Sequence, residues 1–293
     1  MTARLEHDRI RIGPHLVISF ERTLRIPGDG RPYPLPPGLG LFPIRRLGEE
    51  FLIPMYQREA LWIAFDDAWW KPHAVKVAIG AVDAITGDPW TEELRDDPQN
   101  YVVVPDQPWL DGINSGHGTV RQFVAMPLGS GATVEAELTG EERIGGLQFV
   151  VFEPRPGRFP DEEPEPGPPS ESALALEGLA GAEMGLGAGG EMTQKIYPDS
   201  YGIEAWNRER RTSFHVRIVN SDDWRAVTGE EPPPTPVDTR RYAEAGLPWF
   251  ALYDEQQGDV APGKPLQRVR SVDEIAGMSD SSVDVKNVKK LGR

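Results

Sequence analysis

Cysteine is absent from the 293 residues, which removes disulfides, thiolate nucleophiles and thiolate-held zinc or iron–sulfur centres. No apolar run reaches the roughly 18 residues that a membrane-crossing helix needs. The first dozen residues carry charges of both signs and no apolar stretch, so a secretory leader is not expected. Positive charge is scarce: 31 Lys and Arg stand against 46 Asp and Glu, a formal net charge of −15. Binding to a phosphate backbone relies on clustered cations that release counterions, so a nucleic-acid reader is disfavoured, and an anionic membrane surface repels the chain. Apolar residues are thin too, at 39% against the roughly 45–50% of an ordinary domain counted with its glycines. The expectation is a soluble cytoplasmic protein with no nucleic-acid or membrane role, whose partners are other proteins or copies of itself.

Glycine and proline are in excess, at 31 and 29 residues, about a fifth of the chain where ordinary usage gives roughly 12%. Such a chain turns often and is no helical bundle. Between the turns, period-two alternation marks strands over residues 15–26 and 51–66, and a run of small and branched residues marks another over 74–81. The densest stretch is 101–152, with an apolar run at 102–104, alternating segments at 119–126 and 132–138, and a further strand at 147–152. Asp88-Pro89 followed by Glu92 and Glu93 predicts a short helix, because Asp caps, Pro suits the first position and acids favour the positive end.

Composition shifts at Pro154. Residues 154–170 are rich in Pro and Glu, and 172–190 form an Ala/Gly/Leu tract. The first reads as an extended linker, the second as a weak helix fading into a glycine loop. Later come strands at 192–197 and 212–219, then three helices: one capped by Ser221 and stopped by Gly229, one opened by Thr235-Pro236, and one with a Ser271/Glu274 capping box. The expected organisation is a β-rich sandwich-like domain at 1–153, a linker at 154–190, a smaller α+β segment at 191–278 docking on the first, and a flexible tail at 279–293. The fold class is mainly β, an antiparallel β-sandwich or jelly-roll-like domain with that α+β addition.

Two loops carry candidate chemistry. In 105–118, Asp106, Asp111 and His117 are a candidate catalytic and metal-binding set, since three such ligands hold a divalent metal and leave positions open for water. The same residues are also ordinary turn chemistry, with Trp109 plugging the sheet. In 66–73, Asp66, Asp67, Trp69, Trp70 and His73 combine stacking surface with hydrogen-bonding groups, as a sugar or cationic-ligand site does. Adjacent strand residues point to opposite faces, so Asp66 and Asp67 are not expected to act as a pair. Arg121, with Gln122, is expected to lie across a sheet from Glu135 and Glu137. The candidate binding residues are therefore Trp69, Trp70, His73, Trp109 and Arg121. The glycines at 185–190 follow no predicted strand and lack the Lys-Ser/Thr of a phosphate loop.

The runs Asp111-Gly112-Ile113, 118–129 (GTVRQFVAMPLG) and 246–250 (GLPWF) resemble an uncharacterised family of bacterial proteins over most of the chain. The resemblance brings no activity, cofactor or site residue. On this reading the chain is a non-catalytic binding or assembly module. The alternatives are a metal-assisted hydrolase using the 105–118 loop with a divalent cofactor, and a carbohydrate-binding module.

Overall fold

The structure, a computed structural model, describes residues 2–164, 183–252, 257–277 and 283–291. The first part of the chain forms β1 (Ala3–Glu6), β2 (Arg9–Ile12), β3 (Leu16–Thr23), β4 (Gly38–Leu41), β5 (Arg45–Leu47), β6 (Glu50–Met55), β7 (Ala60–Asp66), β8 (His73–Ile79) and β9 (Val82–Asp83). Next come β10 (Val102–Val104), β11 (Trp109–Leu110), β12 (Gly112–Gly116), β13 (Thr119–Pro127), the helix α1 (Val134–Thr139) and β14 (Leu147–Pro154). The rest supplies β15 (Glu183–Thr193), β16 (Trp206–Asn220), α2 (Trp224–Thr228), α3 (Thr239–Glu244), β17 (Trp249–Leu252), α4 (Val272–Ile275) and β18 (Val288–Leu291). The molecule is mainly β, as expected.

One sheet follows the path β1-β2-β3-β7-β13-β15-β16-β14-β8-β10, with β4, β5, β6, β9, β11 and β12 as branches. Its neighbours run antiparallel except β16 beside β6. A sheet this long must curl to cover its apolar faces. Strand β8 shows this, being buried at every position. Val75, Val77 and Ile79 face the main core, while Ala74 joins a second cluster with Tyr101, Val103, Phe152 and Trp206. Phe20 on β3 meets Phe149 on β14 edge-to-face at 6.0 Å, although these strands are not neighbours in the path. Phe149 in turn stacks on Phe214 at 4.9 Å, a contact worth about 0.5–1.5 kcal/mol beyond its buried area. Among the described residues no helix is long and apolar enough to cross a membrane.

Several elements depart from expectation. Residues 183–190 are neither helix nor loop but the first part of β15, paired with β13. The reason is crowding: a Cβ on Gly187 would lie 2.4 Å from Val272 Cγ1, and one on Gly190 would lie 2.2 Å from the Pro27 carbonyl oxygen. The rest of the expected linker, 165–182, lies outside the described residues. Strands β15 and β16, on either side of residue 195, lie in the middle of the sheet, and β16 pairs with β14 from Leu147↔Val216 to Phe152↔Arg211. Residues 132–138 form α1 rather than a strand, since the Thr133 hydroxyl accepts the Ala136 N–H and Gly140 closes the helix at φ 77°.

No helix follows Asp88. Its carbonyl accepts the Asp83 N–H and Trp90 donates to Ala81, so pairing with β9 and its flank claims the segment. Part of the expected flexible tail is β18, paired in parallel with β17; residues 278–282 and 292–293 lie outside the described residues. The N-terminal hairpin β1–β2 was not anticipated at all. Of the three later helices, α4 has its Ser271/Glu274 capping box in full, α2 ends at Gly229, and α3 starts late, capped by Asp238.

Candidate functional site

The best-formed cluster lies where β7 turns into β8. Strand β7 ends at Asp66 and β8 begins at His73, so the strand period turns Asp66 outward and Asp67 inward. His73 Nδ1 lies 2.8 Å from Asp67 Oδ2, with the side chains 2% and 0% exposed, and the other Asp67 oxygen accepts the Ala68 N–H at 2.9 Å. Burial raises the Asp67 pKa against the opposing pull of His73. The pair orients the imidazole, with Nδ1 bonded to the carboxylate. Among the described residues no hydroxyl hydrogen-bonds to His73, so the arrangement has a base and an orienting acid without a nucleophile.

His15, just before β3, completes the corner. Its ring meets Trp70 edge-on at 5.8 Å, and Trp70 meets Trp69 edge-on at 5.8 Å. Burial lowers the His15 pKa first, Lys71 and then His73 add to that, and Asp67 and Asp161 oppose it. Lys71 is ion-paired with Asp161. The buried Trp70 indole N–H has no hydrogen-bond partner among the described residues. Trp69 stands 61% exposed beside this packed base. The corner therefore offers a large, supported aromatic face, the part-exposed His15 imidazole and charges of both signs, with His73 buried beneath.

The other candidates are dispersed. Asp111 is buried, receives the Gln194 side-chain N–H at 2.6 Å, and donates its own backbone N–H to Gln194 Oε1 at 2.9 Å. Burial raises its pKa to about 7, with the bonds from Trp109 and Gln194 acting the other way. Asp106 accepts the Ser200 hydroxyl at 3.3 Å. His117 is exposed at the tip of the β12–β13 hairpin with φ 55°. Among the described residues no three His, Asp or Glu side chains gather to hold a metal, so Asp106, Asp111 and His117 do not form the expected set. Adjacency in a loop did not bring them together because β11 and β12 pull Asp111 into the sheet while the hairpin carries His117 out.

Trp109 packs edge-on against Trp62 at 6.3 Å within β11, as a sheet plug. Arg121 reaches Glu191 at 3.4 Å and the Val269 carbonyl, tying β13 to β15 and the C-terminal segment. The expected crossing with Glu135 and Glu137 does not form, since both lie on α1; Glu137 pairs with Arg270 instead. His15 was missed by sequence reasoning, and its distance from the 66–73 loop along the chain left no local signal. No protein-family model matches the chain, and no similar curated protein or solved structure was found.

Proposed function

We propose that the chain is a non-catalytic binding or assembly module of the cytoplasm that engages a protein partner through the corner of His15 and residues 66–73. The exposure of Trp69 carries this reading. A lone surface Leu needs no explanation, but a Trp held on a packed Trp70–His15 base has the rigidity and area of an interface anchor. The kinship suggested by the 111–113, 118–129 and 246–250 runs is part of the same proposal. In the fold these runs have packing duties: a Cβ on Gly112 would overlap the Arg121 carbonyl at 1.9 Å, and Trp249 is fully buried.

The test is affinity isolation from the native host with wild type and Trp69→Ala as baits, followed by repurification of any complex and measurement of its mass. A complex of fixed stoichiometry that Trp69→Ala abolishes supports the reading. Equal recovery with both baits, or no complex with either, overturns it. Quenching of tryptophan fluorescence by neutral oligosaccharides, lost in Trp69→Ala, would assign the corner to sugars instead.

A further inference from the structure

Strand β16 opens with a feature far from ideal pairing. Its register with β14 jumps from Trp206↔Pro154 to Arg211↔Phe152. Residues 207–210, Asn-Arg-Glu-Arg, therefore bow out with no strand partner among the described residues. Such a bulge re-aims side chains and frees backbone groups from the ladder; here the Glu209 N–H is taken by Asn207 Oδ1 at 3.2 Å, and the neighbouring groups have no ladder partner among the described residues. Arg208, Arg210 and Arg211 are exposed on it, and the turn after β14 adds exposed Arg155 and Arg158.

Two depressions meet at Arg208. One, of about 460 Å³, is lined by Arg155, Pro156, Asn207, Arg208 and Glu209. The other, of about 310 Å³, runs between Arg208, Arg211 and Glu92 over Leu94 and Phe152. The local carboxylates engage three of these five cations through only two carboxyl groups. Glu204 is shared by Arg155 at 2.9 Å and Arg208 at 2.7 Å, and Glu92 takes Arg211 at 2.9 Å. Arg158 and Arg210 have no ion-pair partner among the described residues.

We propose that this bulge is a docking surface for an extended acidic segment of a partner protein. Open strand backbone takes an extended peptide by main-chain hydrogen bonds, and guanidinium forks take carboxylates in two-point contacts. A chain with a net charge of −15 repels acidic partners over most of its surface, so an arginine-bearing bulge is where the field lets one approach. A single small anion would use the arginines and leave the backbone and the apolar floor idle. This surface goes beyond the Trp69 corner and does not depend on it.

The experiment is fluorescence anisotropy of a labelled peptide of alternating Glu and Val with the full chain. Wild type is expected to bind, more weakly as salt rises. The double variant Arg208→Glu/Arg210→Glu, checked for an unchanged melting temperature, is expected to lose at least about tenfold in affinity. Trp69→Ala should bind as wild type does. Absence of binding by wild type, equal binding by the charge-reversed variant, equal binding of a Lys/Val peptide, or full displacement by equimolar inorganic phosphate would each overturn the proposal.

Discussion

Glu135 is buried in α1, where its carboxylate takes the backbone N–H groups of Arg143, Ile144 and Gly145 at 3.2, 3.0 and 2.9 Å. Asp199 does similar work for Tyr201, Gly202, the Tyr101 hydroxyl and the Trp206 indole, and Asp259 for Gly118 and Ile196. Part of the acidic excess thus acts inside the fold, as acceptors for loop backbone that has no ladder partner. Glu135→Leu would leave the buried Gly145 N–H unsatisfied and return the part-buried Arg143 and Ile144 N–H groups to solvent, and chemical denaturation should show a loss of about 1–3 kcal/mol. Asp111 is the opposite case, with too few donors to hold a charge in its apolar surroundings. Its folded pKa, about 7, lies above the ordinary carboxylate value. The stability it contributes is therefore full below about pH 4 and is lost as pH rises through about 7, on the order of 4 kcal/mol at pH 8. Glu21, raised by burial to about 6, pushes in the same direction. Asp111→Asn should flatten the fall in melting temperature between pH 5 and 8, and a variant as steep as wild type would count against the buried-carboxyl account.

Strand β15 is held in place by what its glycines lack. Gly187 lies against Val272 and the Ala132 carbonyl oxygen, 2.4 and 2.6 Å from where a Cβ would sit. Gly187→Ala should therefore push α4 and the turn before α1 away from the sheet, costing about 1–3 kcal/mol despite alanine's better backbone entropy, which calorimetry would register as a lower melting temperature. This strand was illegible in the sequence for the same reason. Alternation reveals a strand through side chains, and a tract whose function is to have none gives no pattern. Strands β3 and β7 were legible because Leu16, Ile18 and Phe20, or Leu61, Ile63 and Phe65, alternate along them, and β8 and β14 because they are short runs of small, branched and apolar residues. The α4 capping box was legible because its signal is local. Residues 132–138 misled because seven residues can fit either period, and a threonine cap decided the matter. At the candidate site, the opposed faces of Asp66 and Asp67 followed from strand geometry. The meeting of His15 with Trp70 did not, because the β3–β7 pairing that brings them close is long-range.

Across the molecule, the C-terminal segment is fastened to the N-terminal strands by polar clamps. Arg22 bonds both Glu59 and the Pro234 carbonyl, Tyr56 reaches Pro233, and Arg45 joins Asp8 to Glu230. The deepest clamp is Asp273 in α4. Its fully buried carboxylate takes Arg25 at 2.8 and 2.9 Å and faces Arg58 at 3.6 Å. Replacing one partner of a buried pair leaves the others desolvated and unmatched, which costs about 3–5 kcal/mol; partial solvent access to both arginines puts Asp273→Asn near the lower end. The strand order decides how that loss is expressed. Strand β16 lies between β14 and β6 and cannot leave while either stays folded. Unfolding of Asp273→Asn in denaturant should therefore shift to lower concentration as one transition, with tryptophan fluorescence and far-UV circular dichroism coinciding. An independently docked C-terminal unit would behave differently, coming away first and splitting the two signals. The companion variant Arg25→Met/Asp273→Leu separates charge from packing, since an apolar pair of similar volume should recover most of the loss. If it recovers none, the clamp acts through shape rather than through the buried charge.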